Sequence, residues 1–256
     1  MAISIIYGPV PSWRLGRSLG IDLLSTKGKT CSFDCIYCQL GRTVYPQIER
    51  KEFVSTAKLA EELEIVKNTV ADYATFSGIG EPTLASNLGE AIKLVKSVLQ
   101  LPVAVLTNSS LITREDVRKE LSLADTIVAK IDAHDEIRFR QINRPIGECT
   151  LDDITGAIMH FREEYKGKLA IQMMFVKTNK DHALEMAKIA EKLLPDEIQI
   201  NTPLRPCAVQ PLIPEDISAI KQAFSGLKNV ITVYEAPRPE VTPLSQEATI
   251  RRRPKL

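Results

Sequence analysis

The chain has 256 residues, 44% of them hydrophobic and 25% charged, ordinary for a soluble protein with a sizeable core. Its 33 basic and 32 acidic residues leave a net charge of +1, so no global field points to nucleic acid or a membrane surface. No apolar run approaches the ~20 residues of a membrane helix, and the five cysteines, three of them clustered, read as a metal site in a reducing compartment rather than a disulfide framework.

The start, Met1 to Pro9, is broken too early to be a signal peptide, and a cytoplasmic location is expected. Residues 7–20 hold Gly8, Pro9, Pro11, Gly16 and Gly20, which deny this stretch a regular helix. It also holds the only tryptophan, Trp13, with Arg14 and Arg17 beside it. One reading is a lead-in packed on the rest of the fold; the other sets Arg14 or Arg17 against an anionic group of a substrate. Leu19–Leu24 reads as a strand. It leads into Cys31-Ser-Phe-Asp-Cys35-Ile-Tyr-Cys38, three cysteines within eight residues. Thiolates suit iron–sulfur clusters and zinc. Three on one short loop can wrap one face of an iron–sulfur cube and leave one iron free to bind a small molecule, with the Tyr37 ring alongside.

Beyond the loop, helical spacing alternates with strand-like runs. Helices are expected over 53–69, 86–99, 113–122 (capped by Thr113 with Asp116), 151–165, 180–193 and from Pro214. Strands are expected at 72–77, 103–107, 126–131, 169–176, 197–201 and 230–234. The strands near 20, 73, 103, 126, 170 and 198 each precede a helix, which gives six strand–helix units with 230–234 as one more strand, and such alternation predicts an α/β fold with a parallel sheet and helices outside. Eight units close a barrel; six predict a partial, open (β/α)6 TIM-like barrel. One barrel domain is expected over 1–236, with 1–18 as its lead-in. The Pro-rich tail 237–256 ends Arg251-Arg-Arg-Pro-Lys255 and reads as solvated and disordered, or alternatively as a phosphate or RNA contact.

In parallel α/β folds ligands bind at the carboxyl ends of the strands, and the chemistry-bearing residues fall there. The cysteine loop follows the first strand, and Gly78-Ile-Gly80-Glu81-Pro82 follows the second, where small glycines admit a close ligand or simply make a tight turn. Thr107 and Asn108 end the third strand. Lys130 and Asp132 bracket the end of the fourth; a lysine in an apolar strand is costly to bury unpaired, so Lys130 faces a ligand or pairs with Asp132 or Glu81. Gln172 and Asn201 are amides among apolar residues, able to bind a ligand or to satisfy backbone. Arg144, in the loop Asn143-Arg-Pro145, and Arg205, in the loop 202–207, are further substrate candidates. Cys149 and Cys207 lie in loops facing the same end. Lys130, Arg144 and Cys207 are the catalytic candidates; His134, His160 and His182 are scattered and receive no role.

The CxxxCxφC spacing resembles the radical S-adenosylmethionine (SAM) superfamily. Tyr7-Gly-Pro-Val-Pro-Ser, Arg14-Leu-Gly-Arg-Ser-Leu-Gly, Ser77-Gly-Ile-Gly-Glu-Pro-Thr and Asn201-Thr-Pro-Leu-Arg-Pro resemble a family of small iron–sulfur oxidoreductases related to the wybutosine-synthesis enzymes, which modify a tRNA base. The resemblance implies that Cys31, Cys35 and Cys38 hold a [4Fe–4S] cluster whose fourth iron takes SAM. It implies that Gly78, Gly80 and Glu81 meet the methionine amino group and that Thr107 and Asn108 meet its carboxylate or the ribose. An external donor of ferredoxin or flavodoxin type would reduce the cluster, giving methionine and a 5′-deoxyadenosyl radical that takes hydrogen from a substrate, with a tRNA base as candidate. The amino-terminal second-cluster cysteines of the wybutosine enzymes have no counterpart before Cys31. Two alternatives stand beside this. One is an activase that places a glycyl radical on a partner protein. The other is a non-catalytic electron-transfer or zinc protein, which would need a fourth ligand.

Overall fold

The computed structural model describes residues 4–254; Met1–Ile3 of the lead-in and Lys255 of the basic tail lie outside the described residues. In chain order the strands are β1 Ile6–Ser12, β2 Gly16–Ile21, β3 Thr30–Cys31, β4 Tyr45–Pro46, β5 Tyr73–Phe76, β6 Val103–Thr107, β7 Thr126–Lys130, β8 Lys168–Met174, β9 Glu197–Asn201 and β10 Val230–Thr232. The helices are α1 Thr56–Val66, α2 Leu88–Leu99, α3 Glu115–Leu121, α4 Glu136–Ile142, α5 Leu151–Glu164, α6 Ala183–Leu193, α7 Pro214–Gln222 and α8 Gln246–Arg252.

Eight strands form one sheet in the order β1-β2-β5-β6-β7-β8-β9-β10. Only β1 runs antiparallel to its neighbour. Among the parallel strands spatial order follows chain order. Each crossover is right-handed by the usual rule, so every connecting helix falls on the same face. With helices on one face, the sheet curls around its other face and buries that face in the barrel interior. The result is the expected partial barrel, with helices outside and an interior between β2 and β10.

The elements form where their residues allow. Val103, Ala104 and Val105 are buried, as strands covered on both faces must be. In α2, Leu88, Ala91, Ile92, Val95 and Leu99 point inward at helical spacing. Ser55 caps α1 by accepting from Lys58 N, and Thr150 caps α5 by accepting from Asp153 N. Two expectations are corrected. Thr113 does not cap α3: Arg114 holds that position, and the Thr113 hydroxyl donates to the Ser110 carbonyl. Over residues 245–253 the tail forms a packed helix: α8 has buried Ala248, Thr249 and Arg252 and packs against β1 through Tyr7, Val10 and Ala248.

Candidate functional site

The cysteine loop leaves β3 at Cys31 and is fastened on two sides. On one side the glycine-rich turn after β5 grips it: Thr30 N donates to Ile79 O (3.0 Å) and Glu81 N to Thr30 O (3.2 Å). A Cβ on Gly80, at φ +151°, would lie 1.6 Å from the Thr30 carbonyl oxygen, so only glycine permits this approach. On the other side the loop after α4 grips it: Ile36 N donates to Ile142 O (2.9 Å) and Asp34 N to Asn143 O (3.1 Å). Two short turns, Cys38 N to Cys35 O and Gly41 N to Cys38 O, fold the loop back. None of the three cysteines is in a disulfide.

Amide groups aim at the sulfurs. Phe33 N lies 3.4 Å from Cys31 Sγ, Asn108 Nδ2 lies 3.5 Å from the same atom, and Asn143 Nδ2 lies 3.6 Å from Cys35 Sγ. Burial pushes the Cys31 thiol up to about 12 and the Cys35 thiol up to about 11. Buried Lys29 lies beside all three sulfurs; burial lowers its pKa, but Cys38, Cys31 and Cys35 outweigh that and the net shift is upward. Thiolates facing a lysine ammonium and amide donors are what an iron–sulfur cluster needs to hold its negative charge. Among the described residues no three His, Cys, Asp or Glu side chains converge on one ion. A cube spreads its thiolates over separate irons, so this donor set fits a cluster better than a single zinc.

A cavity of about 530 Å³ runs along the inside of the curled sheet. Tyr37 and Cys38 form part of its wall, and so do Lys130, Gln172 and Asn201 from the ends of β7, β8 and β9. Asp132 organises this wall. Its carboxylate accepts from Lys130 Nζ (3.1 Å), Asn143 Nδ2 (2.8 Å), Met174 N (2.8 Å) and the Tyr37 hydroxyl. Lys130 Nζ also lies 4.9 Å from the Tyr37 ring centroid and 3.3 Å from Gln172 Oε1. Burial, with Asp132 next to it, holds the Tyr37 pKa well above the ordinary phenol value, so the hydroxyl stays a donor. Lys130 thus both pairs with Asp132 and faces the cavity. Gln172 is 6% exposed, and its Nε2 has no partner.

The second-strand motif lies elsewhere. Glu81 is buried and accepts from Thr83 N, Thr83 Oγ1, Thr107 Oγ1 and Asn108 N. Burial raises its pKa against those four bonds. Glu81, Thr107 and Asn108 gather behind Cys31, Gly80 packs on Thr30 and Gly78 on Asp22, and none of the five lines the cavity. Arg14 and Arg205 line the cavity. Arg144 flanks the other side of the loop, in a cavity of about 370 Å³ shared with Cys35 and Cys38. Arg17 is a correction as a substrate contact: it sits at the amino end of β2, in a salt bridge of 2.6 Å to Asp72 just before β5. The Cys207 thiol donates to Val209 O (3.1 Å) and packs in an apolar cluster with Tyr37, Ile142 and Met174. Cys149 lies in a separate cavity of about 470 Å³ with Ser32 and Ser110.

Sequence reasoning missed Asn143 as the link between Cys35, Tyr37 and Asp132. It also missed Arg238 and Arg253, which line the main cavity but lie in the segment read as tail. Asp22 carried a signal: a carboxylate in the apolar run Leu19–Leu24 calls for a cation, which is Arg252, 2.8 Å away.

A partial barrel of parallel strands, with a three-thiol loop after the first of them and a cavity beside that loop, defines a class of iron–sulfur enzymes. The chain belongs to the radical SAM superfamily, whose profile matches residues 26–190. It is 38% identical over 236 residues to a UPF0026 protein of Methanocaldococcus jannaschii, covering 90% of this chain and 73% of that one. It is 41% identical over 209 residues to a UPF0026 protein of Synechocystis sp., covering 80% of this chain and 77% of that one. Among solved structures it matches anSMEcpe with bound AdoMet at a TM-score of 0.65 and 18% identity, over 85% of this chain and 64% of that one. It matches Streptococcus suis SuiB bound to S-adenosylmethionine at 0.62 and 14% identity, over 80% of this chain. The chain spans about half the length of SuiB (48%), and these likenesses bear on the fold. The family works with a [4Fe–4S] cluster and SAM, as the cysteine spacing led us to expect.

Proposed function

We propose that this protein cleaves SAM reductively and uses the product to take hydrogen from a substrate. The observation that carries the reading is the shared wall: Tyr37 and Cys38 of the cysteine loop line the same cavity as Lys130, Gln172 and Asn201. Cys31, Cys35 and Cys38 would hold three irons of the cluster. When bound, the cluster supplies the electron that splits SAM into methionine and a 5′-deoxyadenosyl radical. Glu81, Thr107 and Asn108 brace the Cys31 side, and the Gly78–Gly80 backbone is assigned to the methionine moiety. The unpartnered Gln172 Nε2 and the Asn201 amide are donors for the ribose or adenine, and Lys130 holds the wall charge-balanced through Asp132.

The reductant in this reading is an external ferredoxin or flavodoxin. The substrate candidate is a tRNA base, with a residue of a partner protein as the alternative, and the setting is the cytoplasm. Among the described residues no helix is long and apolar enough to cross a membrane.

The test is anaerobic reconstitution, reduction with dithionite and addition of SAM. Release of 5′-deoxyadenosine and methionine, with a change in the reduced cluster's EPR signal on SAM addition, is expected. Neither product, with an unchanged signal, would leave electron transfer as the better reading.

A further inference from the structure

Four arginines line the interior cavity; Arg205 donates to Gln39 Oε1, and the other three come from separate segments: Arg14 in the β1–β2 turn, Arg238 beyond β10, and Arg253 at the end of α8. No aspartate or glutamate shares that lining, and among the described residues none of the three forms a salt bridge. Elsewhere Arg17, Arg50, Arg114 and Arg162 are each paired with a carboxylate, whereas Arg118 and Arg251 donate to backbone carbonyls; what sets the three apart is the cavity they share. Arg14 Nε is buried and has no hydrogen-bond partner; its guanidinium rests over the Trp13 ring at 5.0 Å. Burial, then the positive charge of Arg253, with Glu197 opposing and Arg238 adding, lowers the Arg14 pKa to about 10. The three cations therefore repel one another across a partly desolvated space, an arrangement that an anion relieves. A buried orphan donor likewise calls for an acceptor.

We propose that Arg14, Arg238 and Arg253 bind the phosphate of a small phosphorylated substrate inside the barrel, in the cavity that also reaches Cys38. The chemistry selects phosphate. Three guanidinium forks match a group with several oxygens and more than one negative charge. SAM does not meet that need, because its single carboxylate is accompanied by an ammonium and a sulfonium, which three arginines repel. The chain's net charge of +1 supplies no global field to draw in an RNA chain. The proposal rests on the radical SAM reading for what is done to the substrate, but not for its binding, and it sets a small phosphorylated molecule in place of the tRNA base as the substrate.

Trp13, the only tryptophan, sits in the same cavity wall and reports occupancy. The full chain is titrated with pyrophosphate, with acetate as the monoanionic control, and Trp13 fluorescence is followed. Saturable change with pyrophosphate and none with acetate at equal ionic strength is expected. Arg238→Gln, at an exposed side chain that makes one backbone contact, should weaken binding about tenfold, and the pair Arg14→Gln with Arg253→Gln should abolish it, with unchanged far-UV circular dichroism. Cys35→Ala should bind pyrophosphate like the native chain, so loss of the cluster and loss of the phosphate site are read apart. No saturable response, or undiminished affinity in the arginine variants, overturns the proposal. A single-stranded RNA oligonucleotide that displaces pyrophosphate at far lower concentration overturns the small-molecule assignment.

Discussion

Asp132 is a buried carboxylate with a single countercharge, Lys130. Its side chain has 0% exposure, and Lys130, its countercharge, 18%. Removing one member of such a pair leaves the other charged and uncompensated, at about 3 kcal/mol. Lys130→Ala is therefore expected to lower unfolding stability by about that amount in urea titration and to weaken SAM binding, while iron and sulfide per chain stay at native levels. Native SAM affinity in that variant would confine Lys130 to bracing Asp132. Cys35→Ala should fail to assemble the four-iron cluster; full iron and sulfide content there would remove Cys35 from the ligand set. Cys149 offers a pH test away from the cysteine loop. Burial, with Asp153 and Glu136 adding, pushes its thiol up to about 11. The thiolate is the reactive form, so alkylation of Cys149 by iodoacetamide at pH 8 should run at least ~10-fold slower than for an ordinary thiol with a pKa of about 8.5. Its rate should still be rising at pH 10, and a plateau near pH 9 would contradict the assigned environment.

Helix α8 shows what one element can add to a barrel. Arg252 donates Nε to Asp22 Oδ2 (2.8 Å), Nη1 to Ala248 O (3.1 Å) and Nη2 to Ser25 Oγ (3.3 Å), and it lies 5.3 Å from the Tyr7 ring centroid. Its carbonyl accepts from Gln39 Nε2 (2.9 Å), one residue beyond Cys38. The helix thus ties the end of β2 to the cysteine loop. Arg252→Ala should cost about 3–5 kcal/mol because it orphans the buried Asp22 charge. Arg252→Lys should recover little, since an ammonium lacks the planar fork; urea denaturation of both variants checks this, and a cost below 1 kcal/mol for the alanine would mean that water reaches Asp22. Sequence reading missed this helix because seven residues give too few turns for a periodic signal, and a run of arginines reads as solvated until its carboxylate partner is known. It missed α4 for the same reason, although Asp135 accepting from Arg138 N, ahead of buried Phe139 and Ile142, is a legible start. The β1–β2 hairpin was hidden by Pro9 and Pro11, which a strand tolerates here because β1 is the sheet edge. The inner strands were legible for the opposite reason: burial on both faces makes them continuous apolar runs.

For the molecule as a whole, the sign of the net charge says less than where the charges are paired. The sum of +1 conceals a cavity lined by arginines with no carboxylate in its wall. The spacing of the three cysteines and the order of the strands could be read along the chain, because both are local patterns. The convergence of Arg14, Arg238 and Arg253 could not, since it exists only once the hairpin, the segment after β10 and α8 close on the same space. This distribution has a measurable consequence for nucleic acid. A protein that holds RNA along an extended basic face releases about one counterion per neutralised phosphate and loses affinity steeply with salt. Here Arg50 is held by Asp116 and Glu120, and Arg162 by Asp196, and exposed Lys93, Lys166, Lys188 and Lys228, outside any salt bridge among the described residues, come from four separate segments rather than one basic run. Non-specific binding of single-stranded RNA should be weak at 0.15 M salt, with a slope of log affinity against log salt shallower than about −2. Fluorescence anisotropy of a labelled oligonucleotide across a salt series measures it. A slope of about −5 or steeper would require an extended phosphate track on the outer surface, and a tRNA would then be held by its backbone rather than by a single residue entering the barrel.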